Sequence, residues 1–124
     1  MSVEILLIAA LVTKHFIADF ILQYPYQFLN KGTYGHPGGL LHMAITGIGS
    51  LIACALVITI TPMVLAIIGA EMVIHYHLDW AKVQINSHFK WSPTSHSEFW
   101  NLLGLDQWLH YMTYIVMVAL MVAK

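Results

Sequence analysis

The sequence predicts an all-α polytopic membrane protein, with four transmembrane helices arranged as two hairpins. Of the 124 residues, 59% are hydrophobic and only 9% are charged, and the mean hydropathy is +0.72. A soluble domain of this size is far less apolar. The apolar residues form runs long enough to cross a bilayer, which takes about 20 helical residues. Segments containing Gly, Pro and polar residues separate these runs. We therefore expect one transmembrane domain over residues 1–124.

The first half of the chain predicts two spans joined by an aromatic loop. Residues 3–22 form the first span. A cleavable signal peptide begins with a basic region, and no such region precedes this span. Residues 23–38 contain two prolines and several glycines, which stop a helix. The following apolar stretch, 39–81, is nearly twice as long as a bilayer requires at about 1.5 Å per residue. Thr61 directly before Pro62 is a typical helix start, so we expect spans at 39–59 and 62–81.

The last third of the chain predicts a polar loop and a fourth span. Residues 83–95 are too polar for hydrocarbon and are expected to form the longest loop. Ser95 and Glu98 have capping-box spacing, which predicts an interfacial helix leading into a span at 102–123. Four spans place both termini on one side, the terminus side, and the two long loops on the other, the loop side. All four tryptophans fall near the loop side, as in an interfacial belt: Trp80, Trp91, Trp100 and Trp108.

Charge and cysteine content narrow the function classes. The chain has five lysines, no arginine and a formal net charge of −1, so it offers no basic face to a nucleic acid. Its one cysteine, Cys54, forms no disulfide framework or thiolate metal motif. Lys31, Lys82 and Lys90 lie on the loop side, which favours a cytoplasmic loop side. Both termini are then expected outside the cytoplasm, in a bacterial inner membrane.

Histidine and aspartate side chains recur at one depth in all four predicted spans. In three spans a His and an Asp are four residues apart, which places each pair on one helix face. At about 1.5 Å per residue, the four intramembrane histidines lie within roughly 12 Å of the loop side. The set comprises His15, Asp19, His42, His75, Asp79, Asp106 and His110.

This polar set predicts a metal site. An Asp near the centre of a membrane helix costs about 2.5–3.5 kcal/mol, which mutual hydrogen bonding or a divalent ion can offset. Seven donors exceed what helix pairing needs, so we expect metal. The alternatives are two ions with a bridging aspartate, or one ion whose ligands are held by further carboxylates and histidines. Nitrogen and oxygen ligands suit Zn, Fe, Mn or Ni, and we expect zinc because it suits hydrolysis.

Two similar segments, HFIADF at residues 15–20 and HYHLDW at 75–80, predict an internal pseudo-repeat of two hairpins. His77 points about 200° away from His75 and is not expected to be a ligand. Lys82 is expected to meet an anionic substrate or to extend to the interface. Glu71 is expected to orient His75 or to pair with it, and Lys14 has no assigned role. Substrate contacts or support for the ligands are assigned to Gln23, Lys31, Glu71 and Gln107.

These motifs resemble the domain of unknown function 3307 family of small bacterial and phage membrane proteins. The family pattern is His-x-x-x-Asp-Phe-x-x-Gln, a Lys, a His, His-x-x-x-Asp-x-x-Lys and Asp-Gln-x-x-His. It is matched here by His15, Asp19, Phe20 and Gln23; Lys31; His42; His75, Asp79 and Lys82; and Asp106, Gln107 and His110. The resemblance implies the fold and the polar positions but no activity. The motifs are also distantly similar to those of predicted membrane-bound metal-dependent hydrolases.

The sequence thus predicts a membrane metal-dependent hydrolase acting on a lipid or lipid-linked substrate, such as a phosphoester. Asp19, Asp79, Asp106 and Lys82 are the expected catalytic residues. The expected partners are the bilayer and a lipid-like substrate, and a homo-oligomer is allowed. A carrier or regulator of metal ions or protons is the alternative. The third interpretation is a membrane interaction protein, for instance a phage factor, in which the polar cluster only holds the helices together.

Overall fold

The computed structural model describes residues 1–123, and all regular secondary structure in this range is helical, which confirms the all-α prediction. Lys124 lies outside the described residues. The helices are α1 (Val3–Phe16), which continues as a π-helical segment (Ile17–Ile21), α2 (Pro25–Phe28), α3 (Pro37–Ala55), α4 (Pro62–Phe89) and α5 (Ser97–Val122). The four long helices pack in the cyclic order α1, α3, α4, α5, because each contacts the next and α5 contacts α1.

The turn between α3 and α4 lies where the sequence predicted it. The side chain of Thr61 accepts a hydrogen bond from the Val64 amide at 3.3 Å, and Pro62 occupies the first turn of α4. Helix α3 ends at Ala55, however, four residues before the predicted boundary. Residues 57–61 are β-branched, which lowers helix propensity, and a proline disfavours helical geometry in the residue before it. This segment therefore connects the two helices.

Helix α4 is longer than the predicted span of 62–81, and the predicted loop at 83–95 is wrong over its first half. The helix runs for 28 residues and ends at Phe89. The next residue, Lys90, caps it with a left-handed φ of 55°. Residues 83–89 contain neither Gly nor Pro, so the helix continues through them although they are polar.

Helix α5 is continuous from Ser97, so its interfacial turn and its apolar part form one element. The predicted capping box at Ser95 is wrong, because His96 is the N-cap residue and its side chain makes no capping hydrogen bond. The amide of Ser95 is instead bound by Ser92 Oγ at 3.2 Å. This hydrogen bond lies within the polar turn at residues 92–95. The helix therefore starts at Ser97, two residues after Ser95.

The interior has two zones. Near the terminus side, side chains from all four long helices form an apolar cluster that includes Leu11, Cys54, Ile68 and Met117. Toward the loop side the interior is polar, and across the described residues the buried polar and charged side chains outnumber the buried hydrophobic ones. Thr46 and Ser50 are fully buried at the boundary between the two zones.

Two helices, α3 and α5, are long and apolar enough to cross a membrane. Helix α1 has only 14 residues before its π-helical continuation. Helix α4 carries Glu71, Asp79 and Lys82 among its apolar residues. These interruptions reflect the polar zone that both helices help to build.

Candidate metal centre

The seven predicted ligands lie together inside the bundle, toward the loop side. Each of them is at most 6% exposed. The ring centroid of His75 lies 5.1 Å from that of His42, 4.3 Å from that of His110 and 6.3 Å from that of His15. All four long helices, together with the π-helical segment that carries Asp19, contribute to this cluster. Residues separated by up to 95 positions in sequence thus form one site.

Four ligand atoms within the cluster have the spacing of a metal coordination shell. They are Nε2 of His42 and His75, Oδ1 of Asp19 and Oδ2 of Asp79. The two nitrogens are 3.1 Å apart, and the four nitrogen–oxygen distances are 3.2, 3.4, 3.5 and 3.6 Å. Tetrahedral zinc with ligands at 2.0–2.1 Å would separate its ligand atoms by about 3.3–3.4 Å. Five of the six separations in this set are therefore close to those around a tetrahedral ion.

A second group of ligand atoms adjoins the first through Asp79. Nε2 of His110 lies 3.5 Å from Asp79 Oδ1 and 3.4 Å from Asp106 Oδ1. Asp79 thus presents one oxygen to each group, as a bridging carboxylate does in two-metal sites. Ligand atoms of Asp19, His75, Asp79 and His110 also lie within 4.8 Å of one another. Both the one-ion and the two-ion arrangements are compatible with this geometry.

Several buried atoms of the cluster lack a hydrogen-bond partner among the described residues. Such atoms are rare in folded proteins and indicate strain, a functional role or an additional bound group. The carboxylate atoms are Oδ1 of Asp19, Asp79 and Asp106, and the imidazole atoms are His110 Nε2 and His75 Nδ1. Four of these five face other ligand atoms at 3.4–3.6 Å. The donor set and its geometry therefore fit a divalent cation.

The tautomer of His42 is fixed by Gln27, which the sequence did not single out. Gln27 Nε2 donates to the carbonyl of Leu22 at 3.0 Å, so its Oε1 accepts from His42 Nδ1 at 3.2 Å. With the proton on Nδ1, a neutral His42 directs the lone pair of Nε2 at His75, Asp19 and Asp79. Metal-ligating histidines commonly have this arrangement.

A second chain of hydrogen bonds fixes His15. Lys14 Nζ can only donate and a carboxylate can only accept, so these two ends set every direction between them. Lys14 donates to Tyr114 Oη (3.3 Å), Tyr114 donates to His15 Nδ1 (2.9 Å) and His15 Nε2 donates to Gln107 Oε1 (2.8 Å). Gln107 Nε2 then donates to Asp106 Oδ2 at 3.1 Å. Both nitrogens of His15 are thus engaged, which favours a supporting role over direct ligation.

Two lysines border the cluster. Lys31 Nζ donates to Gln23 Oε1 at 2.8 Å and to Asp79 Oδ2 at 3.2 Å. Lys82 Nζ lies 2.9 Å from Asp106 Oδ2 and 3.9 Å from Asp79 Oδ1. The three acids therefore face two ammonium groups, which leaves one negative charge when the imidazoles are neutral. A further proton or a cation would balance this charge.

Glu71 and Lys14 form a separate buried pair, which differs from the expected role of Glu71 beside His75. Glu71 Oε1 accepts from Lys14 at 2.8 Å, and its Oε2 accepts from Ser50 at 2.6 Å. Both residues are at most 6% exposed. Lys14, which had no assigned role, thus neutralises the one glutamate of the interior. Gly49 makes room for its aliphatic stem, since a Cβ there would overlap Lys14 Cγ.

The π-helical segment orients Asp19. The amide of Leu22 bonds to the carbonyl of Ile17 at 2.8 Å, five residues back. The carbonyl of Asp19 instead accepts from the side chain of Gln23 at 2.5 Å. π-Helical turns within α-helices occur often at functional sites. Residues 17–21 contain no Gly or Pro, so the sequence does not mark this turn.

A cavity of about 390 Å³ lies between α4 and α5 on the loop side, and its lining includes Lys82 but none of the seven predicted ligands. Lys82 lines the cavity and joins it to Asp106 and Asp79. Asn86, Ser87 and apolar side chains, including Phe28 and Phe99, form the other walls. An apolar groove of about 560 Å³ lies between α1 and α3 on the outer surface.

His77 is exposed and bonds to Tyr34 at 2.9 Å, so it lies outside the cluster as its position on the helix predicted.

A family comparison covers almost the whole chain. The model of the family described as "Protein of unknown function (DUF3307)" matches residues 6–124. The chain belongs to this family. The resemblance seen in the sequence motifs is thereby confirmed. Neither the curated proteins nor the solved structures contain a significant match, so the site of this DUF3307 member is interpreted from its own chemistry.

Proposed function

We propose that all four long helices cross a membrane and that the loop-side cluster binds a divalent metal, zinc in the first instance, for hydrolysis of a lipid-linked ester. The outward faces of α1 and α4 support the membrane placement. Val12 and Phe16 on α1, Ile17 in its π-helical continuation, and Leu65 and Val73 on α4 are between 36% and 56% exposed. An apolar exterior around a polar interior suits a lipid surrounding, not water.

The convergence of lone pairs carries the metal proposal. His42 directs an unprotonated Nε2 at two carboxylates and a second imidazole, and this nitrogen lies 3.1–3.4 Å from their nearest ligand atoms. Electron-pair donors repel one another at this distance unless a cation or a proton lies among them. Imidazole nitrogen and carboxylate oxygen are also natural ligands of divalent metal ions.

The remaining polar residues fit hydrolysis. A bound divalent ion would activate water and polarise the ester. Asp106 is held by Lys82 and Gln107 through Oδ2, which leaves Oδ1 to accept the proton of the attacking water. Asp79 and Asp19 hold the centre, and Lys82 stabilises negative charge that develops on the substrate. Water adds to the ester and the ester bond breaks. The second proton of the water stays on the acid formed, and the alcohol oxygen leaves with a proton from Lys82 or solvent.

A conducting pathway for ions or protons is less well supported. Among the described residues, the buried polar side chains end at Lys14 and Glu71. The apolar cluster with Leu7, Leu11 and Val118 fills the interior beyond them. Leu7 and Leu11 are fully buried. A carrier would need polar groups or a mobile break along the whole depth. The proposed site opens to the loop side, which the lysine distribution assigns to the cytoplasm of a bacterial inner membrane.

The experiment is a turnover assay on purified protein in lipid nanodiscs. The protein is stripped with a chelator, reloaded with Zn²⁺, Mn²⁺, Fe²⁺ or Ni²⁺, and offered carboxylic and phosphate esters of lipids. We expect metal-dependent release of product that falls at least 100-fold in Asp106→Asn, with metal content retained. Stoichiometric metal without turnover of any ester would contradict hydrolysis and favour the carrier. Absence of both metal and turnover would leave the cluster as structural support for the helices.

A further inference from the structure

We propose that the cavity between α4 and α5 binds the phosphate end of a lipid phosphomonoester. This inference deepens the proposed hydrolase and rests on it for the chemical step. The cavity is formed where α4 continues beyond its apolar span toward Phe89 and α5 begins at Ser97. It therefore lies at the depth where a lipid head group meets its hydrocarbon chains.

Lys82 joins this cavity to the candidate metal centre. Its side chain is 21% exposed, while its ammonium group lies 2.9 Å from Asp106. An anionic group in the cavity would therefore contact Lys82 at the end nearest to the ligands. At the opposite wall, Phe99 and Leu103 offer apolar surface. The cavity thus suits an amphiphile with a negative head and an apolar tail.

The charge balance of the centre selects the type of head group. Three acids and two lysines carry a net charge of −1 with neutral imidazoles, so one divalent ion makes the centre +1 and two make it +3. In a low-dielectric interior such an excess is costly and favours a counter-charge of similar size. A phosphomonoester dianion supplies that charge. A zwitterionic head group would instead bring an ammonium close to Lys82.

The corresponding reaction is hydrolysis of the monoester. The oxygen of water forms a bond to phosphorus, and the bond from phosphorus to the lipid oxygen breaks. One proton of the water passes to Asp106 and the other stays on the phosphate formed. The lipid oxygen gains its proton from Lys82 or solvent and leaves as an alcohol. No oxidant, reductant or second substrate is required.

Binding and turnover are measured separately to test this site. The binding probe is a short-chain lipid phosphonate, which lacks the cleavable bond, compared with phosphatidylcholine of the same chain length. Leu103→Trp fills the cavity, and Leu105→Trp is the matched control because Leu105 is 51% exposed on the outer face of α5. Lys82→Met removes the charge and keeps the apolar stem.

The metal-loaded wild type and Leu105→Trp are expected to bind the phosphonate at least ten-fold more tightly than phosphatidylcholine. Lys82→Met is expected to lose most of this preference, and Leu103→Trp to lose binding, with metal content retained in both. Equal binding of the two lipids, or unchanged binding in Leu103→Trp, would overturn the site. Phosphonate binding without turnover of any ester would refute the hydrolase alone, whereas turnover unaffected by both variants would refute the cavity alone.

Discussion

Gln27 holds His42 through one hydrogen bond, and this bond decides which imidazole nitrogen faces the cluster. Gln27 is 2% exposed although it belongs to a four-residue helix in a connecting segment. Its own orientation is fixed by Leu22, at the end of the π-helical segment. A residue that lies outside the long helices thus determines how α3 presents its ligand.

Gln27→Leu is expected to weaken metal affinity by about 10–100-fold, the usual effect of removing a partner of a metal-ligating histidine. The side chain keeps its approximate volume but cannot accept from His42. The measurement is competition against a chelator, with helix content followed by circular dichroism. Gln84→Leu is the control, because Gln84 is exposed and bonds only to Gly32 in the described structure. Equal affinities in the two variants would contradict the role of Gln27.

The Lys14–Glu71 pair makes a stability prediction. Glu71→Met leaves the Lys14 ammonium buried without its carboxylate, which is expected to lower the free energy of unfolding by about 3–5 kcal/mol. Replacing both residues with Met removes both charges and is expected to recover most of that loss. Unfolding in mixed detergent measures both values. A double variant as unstable as Glu71→Met would show that the pair does not act through charge compensation.

Spacing along a helix predicts part of the residue scale and not the rest. The His and Asp pairs four residues apart point into one interior because a helix places them on one face. Tyr114, four residues after His110, follows the same rule and could have been found in this way. Gln27 could not, because its position depends on how a loop folds onto α3.

At the scale of elements, α2 must approach α3 closely to bring Gln27 to His42. Gly38 permits this approach, since a Cβ there would overlap the backbone carbonyl of Tyr26. A backbone atom cannot move aside as a flexible side chain can. The docking of the connecting segment against the first turn of α3 therefore depends on the absence of a side chain at this position.

Gly38→Ala is expected to displace α2 and so to weaken metal affinity to a similar extent as Gln27→Leu. Gly69→Ala in α4 is the control, because no atom lies within 4 Å of a Cβ built at that position. The control is expected to retain affinity and to be neutral or more stable by about 0.5–1 kcal/mol. Chelator competition and thermal unfolding are measured on both. Retained affinity in Gly38→Ala would show that α2 docking does not support the centre.

The start of α4 was easier to predict than its end. Thr61 and Pro62 fix the start of α4 by local geometry, so the sequence located it correctly. The end of α4 depends on Lys90 adopting a left-handed conformation, for which a lysine gives no signal. The same limitation applies to the π-helical segment, whose geometry comes from packing.

At the scale of the whole molecule, the division into an apolar and a polar zone gives the bundle two unequal ends. The terminus side is closed by packed apolar side chains, and the loop side bears the cluster and its cavity. Hydropathy predicted the helices, and a common depth predicted that the ligands meet. The charge pairs between helices could not be predicted, because they depend on which helices are neighbours.

Cysteine labelling tests whether all four long helices cross the membrane. Ser2, Thr59 and Ser95 are exposed and lie before α1, between α3 and α4, and before α5. Four crossings place cysteines at residues 2 and 59 on one side of sealed, oriented vesicles and a cysteine at 95 on the other. If only α3 and α5 cross, residues 59 and 95 lie on the same side, opposite to residue 2. An impermeant maleimide distinguishes these results, and the wild type is the unlabelled control because Cys54 is fully buried.

The most direct test of the central claim is the metal content of the purified protein after incubation with Zn²⁺ and removal of free ion. We predict one or two tightly bound ions per chain in the wild type, and loss of bound metal in both His42→Ala and His75→Ala. His77→Ala should match the wild type, because His77 lies outside the cluster. A wild type that binds neither Zn²⁺ nor Mn²⁺, Fe²⁺ or Ni²⁺, or full metal content in both cluster variants, would contradict the account.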